Sequence, residues 1–428
     1  MSSRIAGLSA REILDSRGRP TVEVVATLSS GSKGRASVPS GISTGSHEAH
    51  ELRDSNDSRY RGLGVRRAVS NVVDIIAPAV TGMIASDQKA LDRGLIELDG
   101  TPDKSRLGAN ATLAVSLAVV RAAASEAGMP LWRHLAHGRQ PLLPRPMVNI
   151  LSGGLHARRN LDFQDFLIIP VRSATFSDAL ESCVRFYWAM KDILSDRGLS
   201  TLRADEGGFG PALRSHSQAL DLLVETAERA KLTPGEEVQI AVDVAASHFF
   251  NSSDGTYHLA AEGVSMSSDQ LIGFIANWID KYPICSIEDG LADDDWKGWA
   301  ELTASLGRRV QLIGDDLFTT NVDRLQRGID LGVANSVLIK PNQVGTLTET
   351  IDFVDAAQAS GYRTVASARS GETEDASLAD IAVAMAVGQI KIGSVTGSER
   401  LSKYNQLLRI EEELGESAVL APFFNQGR

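Results

Sequence analysis

The sequence predicts an α/β protein, a barrel of repeated strand–helix units preceded by a smaller α+β domain. Three observations predict it. Residues 1 to about 60 alternate β-patterned runs with turns, and residues 63–136 then turn helical, the order expected of an α+β domain. Gly138-Arg-Gln-Pro-Leu-Leu-Pro-Arg-Pro146 carries three prolines and reads as a linker. Beyond it, short apolar β-favouring runs recur with helical segments between them, which argues for a (β/α) barrel. The expected units are an N-terminal domain over 1–137, a linker over 138–145 and a barrel over 146–428.

In chain order, Thr21-Val-Glu-Val-Val-Ala-Thr27 is rich in β-branched residues. It lies between the turn signals Asp15-Ser-Arg-Gly18 and Ser29-Ser-Gly-Ser-Lys-Gly34, and an antiparallel meander follows. Val38-Pro-Ser-Gly-Ile-Ser-Thr-Gly-Ser46 reads either as a flexible loop or as a lid whose hydroxyls and amides reach a ligand. Val65 to Met83, Asp87 to Leu98 and Ala109 to Ala127 have helical spacing, and the alanine-rich stretch from Thr112 is expected to be buried. Barrel strands are predicted at Glu237–Ala246, Ile284–Ile287, Val310–Ile313, Val337–Ile339, Thr364–Ser367 and Gln389–Ile392. Helices fall between several of them, at Ser268–Tyr282, Thr346–Ser360 and Ala376–Val387, and a last one spans Ser398–Leu414.

Composition narrows the function. The chain has 428 residues, 43% hydrophobic and 23% charged, which is ordinary for a soluble globular protein. A net charge of -11 argues against nucleic acid as a partner, because phosphate backbones want a basic face. It leaves room for a small anionic substrate held by a few local cations. Cys183 and Cys285 lack metal-ligand spacing and read as buried thiols in a reducing compartment. No apolar run is long enough to cross a bilayer, so integral membrane association is not expected and a cytoplasmic location is.

The chemistry gathers at strand ends. Val337-Leu-Ile339 leads straight into Lys340 and the turn Pro341-Asn-Gln-Val-Gly345. At the C-terminal rim of a barrel, a desolvated amine near other cations can have its pKa lowered enough to act as a base. The plain alternative is a lysine that ends a strand and reaches for water. Asp243, Glu288 and Asp315 end successive predicted strands. Each alone reads as a helix cap or a solvated loop acid, but three converging carboxylates call for a hard divalent cation such as magnesium. Other strand ends offer Glu206 before a glycine pair, His156 after one, and Arg369-Ser370, a forked cation and a hydroxyl for a phosphate or carboxylate. Lys391 lies between isoleucines inside the last predicted strand. No P-loop, G-x-G-x-x-G, H-E-x-x-H or G-x-S-x-G occurs. A lysine base, a carboxylate cluster, a separate acid and cations together suit abstraction of a proton α to a carboxylate.

These residues sit in recognisable segments. They include Arg11-Glu-Ile-Leu-Asp-Ser-Arg-Gly, Ser43-Thr-Gly, Asp205-Glu-Gly-Gly, Asp243-Val-Ala-Ala-Ser, Ser286-Ile-Glu-Asp and Gly314-Asp-Asp-Leu. Leu338-Ile-Lys, Arg369-Ser-Gly-Glu-Thr-Glu-Asp and Lys403-Tyr-Asn-Gln-Leu-Leu-Arg-Ile-Glu-Glu complete the set. In them the chain resembles the enolases over nearly its whole length. The resemblance implies an N-terminal α+β capping domain, a modified (β/α)8 TIM-type barrel and two Mg2+ ions per active site. It also implies a small phospho-carboxylate substrate and a homodimer or larger homo-oligomer. By position, Lys340 is similar to the base that takes the C2 proton of 2-phosphoglycerate, and Glu206 to the acid for the departing C3 hydroxyl. Asp243, Glu288 and Asp315 correspond to magnesium ligands, with Ser43 bringing a second ion on a closing lid. Lys391 would meet the substrate carboxylate, Arg369 and Ser370 its phosphate. His156 lies on a mobile loop near the phosphate, and Asp165 belongs to the leaving-group shell.

Departures from the family pattern concentrate in that shell. Ala368 stands where enolases have a histidine, and Asp165 where they have a glutamate one methylene longer. Ile42, Leu155, His248 and Pro341 also depart. Three readings follow. The first is an enolase dehydrating 2-phosphoglycerate. The second is a paralogue with an altered leaving-group pocket, such as a carboxyphosphonoenolpyruvate synthase of phosphonate antibiotic biosynthesis. The third is a catalytically silent enolase fold.

Overall fold

A computed structural model describes residues 3–42, 45–157 and 160–423. The β-branched N-terminal runs form strands β1 (Ile5–Leu14), β2 (Pro20–Leu28) and β3 (Lys33–Ser37), an antiparallel sheet in that order. Alternate residues Val22, Val24, Ala26 and Leu28 point one way and are buried. Helices cover that face. α1 (Arg66–Ser70) continues through a π-helical turn into α2 (Ala77–Val80), and α3 (Gln88–Asp99), α4 (Ala109–Glu126) and α5 (Leu131–Ala136) follow. α4 is buried along almost its whole length, as its alanines predict. The small side chains let its backbone lie directly on β3. A Cβ at Gly34 would sit 2.2 Å from the Ala118 carbonyl oxygen and the Ala122 nitrogen, so only glycine fits there.

The barrel strands are β4 (Arg145–Ser152), β5 (Asp165–Pro170) and β6 (Val238–Asp243). A small outlying sheet follows, β7 (Phe250–Asn251), β8 (Thr256–Leu259) and β9 (Val264–Met266). β10 (Ile284–Glu288), β11 (Gln311–Gly314), β12 (Ser336–Ile339), β13 (Arg363–Ser367) and β14 (Gln389–Gly393) complete the ring. The barrel closes in the order β10-β11-β12-β13-β14-β4-β5-β6. Helices α6 (Phe176–Asp196), α7 (His216–Arg229), α8 (Ser268–Lys281), α9 (Trp296–Leu306) and α10 (Val322–Leu331) lie between strands. So do α11 (Leu347–Ala359) and α12 (Ser377–Ala384), and α13 (Ser398–Leu414) comes last. Met147, Leu167, Ala241, Leu338 and Val365 belong to a cluster of their own that fills the barrel interior.

The ring is not wholly parallel. β5 runs antiparallel to both neighbours, β4 and β6. The link from β4 to β5 holds no crossover helix, so the two must run in opposite directions. The link from β5 to β6 carries two helices, α6 and α7, which return the chain to the same end of the barrel. β4 and β5 are also the barrel strands that sequence patterning did not single out. Both are buried at every position, and short continuous apolar runs do not reveal their type by periodicity. Among the described residues no helix is long and apolar enough to cross a membrane.

Candidate active site

Neighbouring parallel strands bring their ends together. Glu288 at the end of β10 is in register with Asp243 at the end of β6. Asp315 follows the last residue of β11, and all three acids are buried. Lysines join them. The Lys391 ammonium, from β14, donates to Asp243 Oδ2 at 2.7 Å and to both Glu288 oxygens at 2.8 Å. Lys340, one residue beyond β12, donates its Nζ to Asp315. Its own backbone N–H is held by Thr320 Oγ1 at 3.0 Å. Amides supplement the lysines, with Gln343 donating to Asp315 Oδ1 at 3.1 Å and Gln164 to Asp243 Oδ2 at 3.3 Å.

The pairing corrects one expectation. Burial is the strongest influence and opposes the charged form of Lys340, but Asp315, with Glu48 and Asp316 behind it, together outweigh it, and the lysine pKa is raised rather than lowered. Burial, and next the Asp243 charge, push Glu288 well above the usual carboxylate range. The pocket therefore carries more negative charge than dry surroundings accept, and two ammonium groups now compensate it. These hard oxygen donors fit a divalent cation of the magnesium type. Among the described residues, two groups bring their ligand atoms within 4.8 Å of one another, Asp289, Asp315 and Asp316 on this side and His156, Asp165 and Glu206 across the cavity. Asp243 and Glu288 meet through Lys391 instead. Asp289 also fixes the loop, accepting the backbone N–H groups of Asp315 at 2.9 Å and Asp316 at 2.8 Å.

The opposite side is built around an imidazole. His156 sits on a short 3-10 turn, Gly154–Ala157, just beyond β4. Its Nδ1 is 2.9 Å from Asp165 Oδ2, and its Nε2 is 3.8 Å from Glu206 Oε1. Asp165 opens β5. Because that strand is reversed, its first residue lies at the same rim, opposite Asp243 and Ser152. The other oxygen of Asp165 accepts from Asn149 Nδ2 at 2.6 Å and Ser152 Oγ at 2.8 Å. Held by these donors, Asp165 lies behind His156. Burial works against the imidazolium, but Asp165 and Glu206 outweigh it and raise the His156 pKa to about 9. Burial also favours neutral Glu206, yet His156 and then more distant cations hold its pKa below the usual value. The imidazole thus hydrogen-bonds Asp165, which protein donors already satisfy, and faces Glu206 across an ion-pair distance, an order of groups suited to passing a proton. Glu206 is fixed by its backbone, whose carbonyl accepts the Ser394 N–H at 2.8 Å. Gly207 follows with φ +90, where a Cβ would lie 2.8 Å from Thr396 Oγ1.

Arg369 and Ser370 lie just beyond β13. Arg400 clamps their carbonyls, at 2.6 Å to Arg369 and 2.8 Å to Ser370. The Arg369 guanidinium donates to both oxygens of Glu48, at 2.9 and 3.1 Å, and to Asn342 Oδ1 at 2.9 Å. The Ser370 hydroxyl accepts the Ile42 N–H at 2.9 Å. Sequence reading did not single out Glu48, and nothing in its local pattern marks it. Asp289 stood in view beside Glu288, and Asn149 lay in an unrecognised strand. Ser43 falls outside the described residues.

A small cavity of about 20 Å³ joins these groups. Its walls include Lys340, Lys391, Arg369, Ser370, Glu206 and His156, with Asp243, Asp315 and Ala368 also exposed to it. Glu288 and Asp165 stand behind that wall, each held by a residue that faces the cavity.

Two family models match the chain. The family model described as Enolase, N-terminal domain matches residues 5–135, and that described as Enolase, C-terminal TIM barrel domain matches residues 140–425. The chain belongs to the enolase family. Membership supports an enolase-family lyase with an α/β barrel, and the buried acidic groups could bind a metal ion. Several of the motifs that carried the enolase resemblance reach the cavity, through Glu206, Asp243, Asp315, Lys340, Arg369 and Ser370. The departure Ala368 lies on its wall, while His248, on the turn Ala246–Phe249, is not among the lining residues.

Proposed function

We propose that this protein is a magnesium-dependent lyase that dehydrates 2-phosphoglycerate to phosphoenolpyruvate. The observation that carries the reading is a single cavity lined by Lys340, Glu206, the carboxylates and the Arg369-Ser370 pair. Asp243, Glu288 and Asp315 would hold magnesium. When bound, it supplies positive charge to the substrate carboxylate and to the enediolate that forms from it. That charge would release Lys340 from Asp315, leaving its amine free to take the C2 proton. Lys391 would stay beside the substrate carboxylate, and the Arg369 fork and Ser370 hydroxyl would hold the phosphate. Glu206, across the cavity, would give a proton to the departing C3 hydroxyl. Arg369 is engaged by Glu48 here, so an entering phosphate competes with that carboxylate. A homodimer or larger assembly and a cytoplasmic location belong to the same proposal.

The remodelled leaving-group side favours a second reading, a paralogue acting on a related phospho- or phosphono-substrate. Ala368 offers only a methyl group to the cavity, and Asp165 is withdrawn behind His156. The test is absorbance at 240 nm with purified protein, magnesium and 2-phosphoglycerate. Phosphoenolpyruvate formation that is lost in Lys340→Ala supports the first reading. Absence of turnover in the wild type overturns it and directs the search to substrates with another leaving group.

A further inference from the structure

We propose that Asp165 and His156 act together behind Glu206 as the group that reloads it with a proton, so that the leaving hydroxyl departs as water. This rests on the enolase reading above and goes beyond it by assigning the origin of the acid proton.

The argument is geometric. Lys340, Lys391 and Arg369 are each bound to a carboxylate on the far side of the cavity. Among the described residues, the ion-pair partner found for Glu206 is His156, 3.8 Å away. That separation is too short for a water molecule to sit between them, so transfer would be direct after a small approach of the two side chains. Ala368, which also lines the cavity, has no proton to offer. His156 has one orientation for this task. Its Nδ1 is committed to Asp165, which is itself held by Asn149 and Ser152, and so Nε2 faces Glu206. A carboxylate that fixes an imidazole and favours its charged form is a familiar arrangement for proton transfer. The shorter side chain of Asp165 keeps this carboxylate against β4 and leaves the cavity edge to the ring.

The elimination balances within the protein and substrate, and exchange with solvent afterwards takes the extra proton from Lys340 and restores the one lost by His156. Lys340 takes the C2 proton, and the electron pair of that bond becomes the enediolate. The pair then forms the C2–C3 double bond as the C3–O bond breaks, and the oxygen leaves with its electrons and the proton of Glu206. His156 returns a proton to Glu206 and becomes neutral, still donating Nδ1–H to Asp165. Asp165 is thus a positioning residue, and His156 acts through Glu206.

The experiment uses 2-phosphoglycerate deuterated at C2, with full-length protein and magnesium. Washout of deuterium reports the Lys340 step, and phosphoenolpyruvate reports elimination. His156→Ala is expected to keep washout within about threefold of wild type while kcat for elimination falls about 100-fold with KM unchanged. His156→Ala combined with Ala368→His is expected to regain about tenfold, because the second imidazole enters the space the first vacated. If His156→Ala does not fold, His156→Gln, which can still bond Asp165, carries the same readouts. Equal loss of washout and elimination, a raised KM with unchanged kcat, or unimpaired elimination would each overturn the proposal. Wild type that neither washes out deuterium nor eliminates overturns the enolase reading, and this inference with it.

Discussion

The two sides of the cavity bury acids to a similar degree but neutralise them differently. On one side Asp243, Glu288 and Asp315 are met by lysine ammonium groups. On the other, Asp165 and Glu206 share a single imidazole. A lysine is a compact point charge at the end of a flexible stem, and a metal ion can take over its work and release it. An imidazole has two nitrogens, and fixing one aims the other. The first side is therefore suited to exchange cations, the second to pass a proton. The departures from the family pattern respect this division. The lysines and strand-end acids are retained, while Asp165 falls on the imidazole side and Ala368 lies on the cavity wall beside Arg369.

The largest expected effect breaks the lysine side. Lys340→Ala should lower kcat by about 10²–10⁴-fold, the usual range for loss of a general base, with unchanged far-UV circular dichroism. Activity within threefold of wild type would remove Lys340 from the chemistry.

A buried acid with no ion-pair partner among the described residues serves as the contrast. Asp380, on α12, accepts from Gln406 Nε2 at 3.1 Å and the Trp132 N–H at 3.3 Å. Burial raises its pKa to about 6, against 3.8 for an ordinary aspartate. A raised folded-state pKa makes ionisation costly, so stability falls as pH rises from about 4 to about 6 and the full cost remains above that. Asp380→Asn should then raise stability at pH 7 by up to about 3 kcal/mol, from about 1.4 kcal/mol per pKa unit. The gain should shrink toward pH 4. Denaturant midpoints at the two pH values decide it, and a pH-independent difference would contradict the assignment.

Magnesium tests whether the lysines stand in for a cation. At 100 times its Kd, a bound ion adds about 2.7 kcal/mol of stability. The thermal midpoint should rise with magnesium and fall again with chelator, and Glu288→Gln should remove most of the rise. A rise of the same size in Glu288→Gln would place the ion elsewhere.

Smallest is the effect of returning an imidazole to the second side while His156 stays. The cavity there is only about 20 Å³. Ala368→His alone should cost about 1–3 kcal/mol through overpacking. It should leave kcat within threefold, as measured by denaturation and turnover on the same preparation. A large gain in kcat would mean that His156 does not fill the role given to it.

How much was legible before the structure depended on the kind of signal each residue carried. The strand-end acids and Lys340 could be read because parallel strands place their last residues at one rim, and a strand ending in an acid shows in the sequence. Asp165 could not be placed that way. It begins a strand, and it reaches the rim only because β5 runs backwards, a reversal set by connections rather than by the strand's own residues. Glu48 lies far from Arg369 along the chain, and their contact exists only once the N-terminal unit meets the barrel. The Lys340 pKa went the other way for a related reason. Sequence supplied the lysine and its burial, but the direction depends on which oxygen lies nearest, and that oxygen is Asp315.

Motif segments read along the chain identified the family, and periodicity with strand-end chemistry predicted the barrel and the residue types on its rim, because those signals are local and repeat along the chain. Only the tertiary structure decided which acid faces the cavity and which stands behind an imidazole. It also decided that Lys391 bridges Asp243 and Glu288, and that Glu48 pairs with Arg369. Those outcomes turn on distances of a few ångströms between segments remote in sequence, and burial makes each such distance count for more than it would in water.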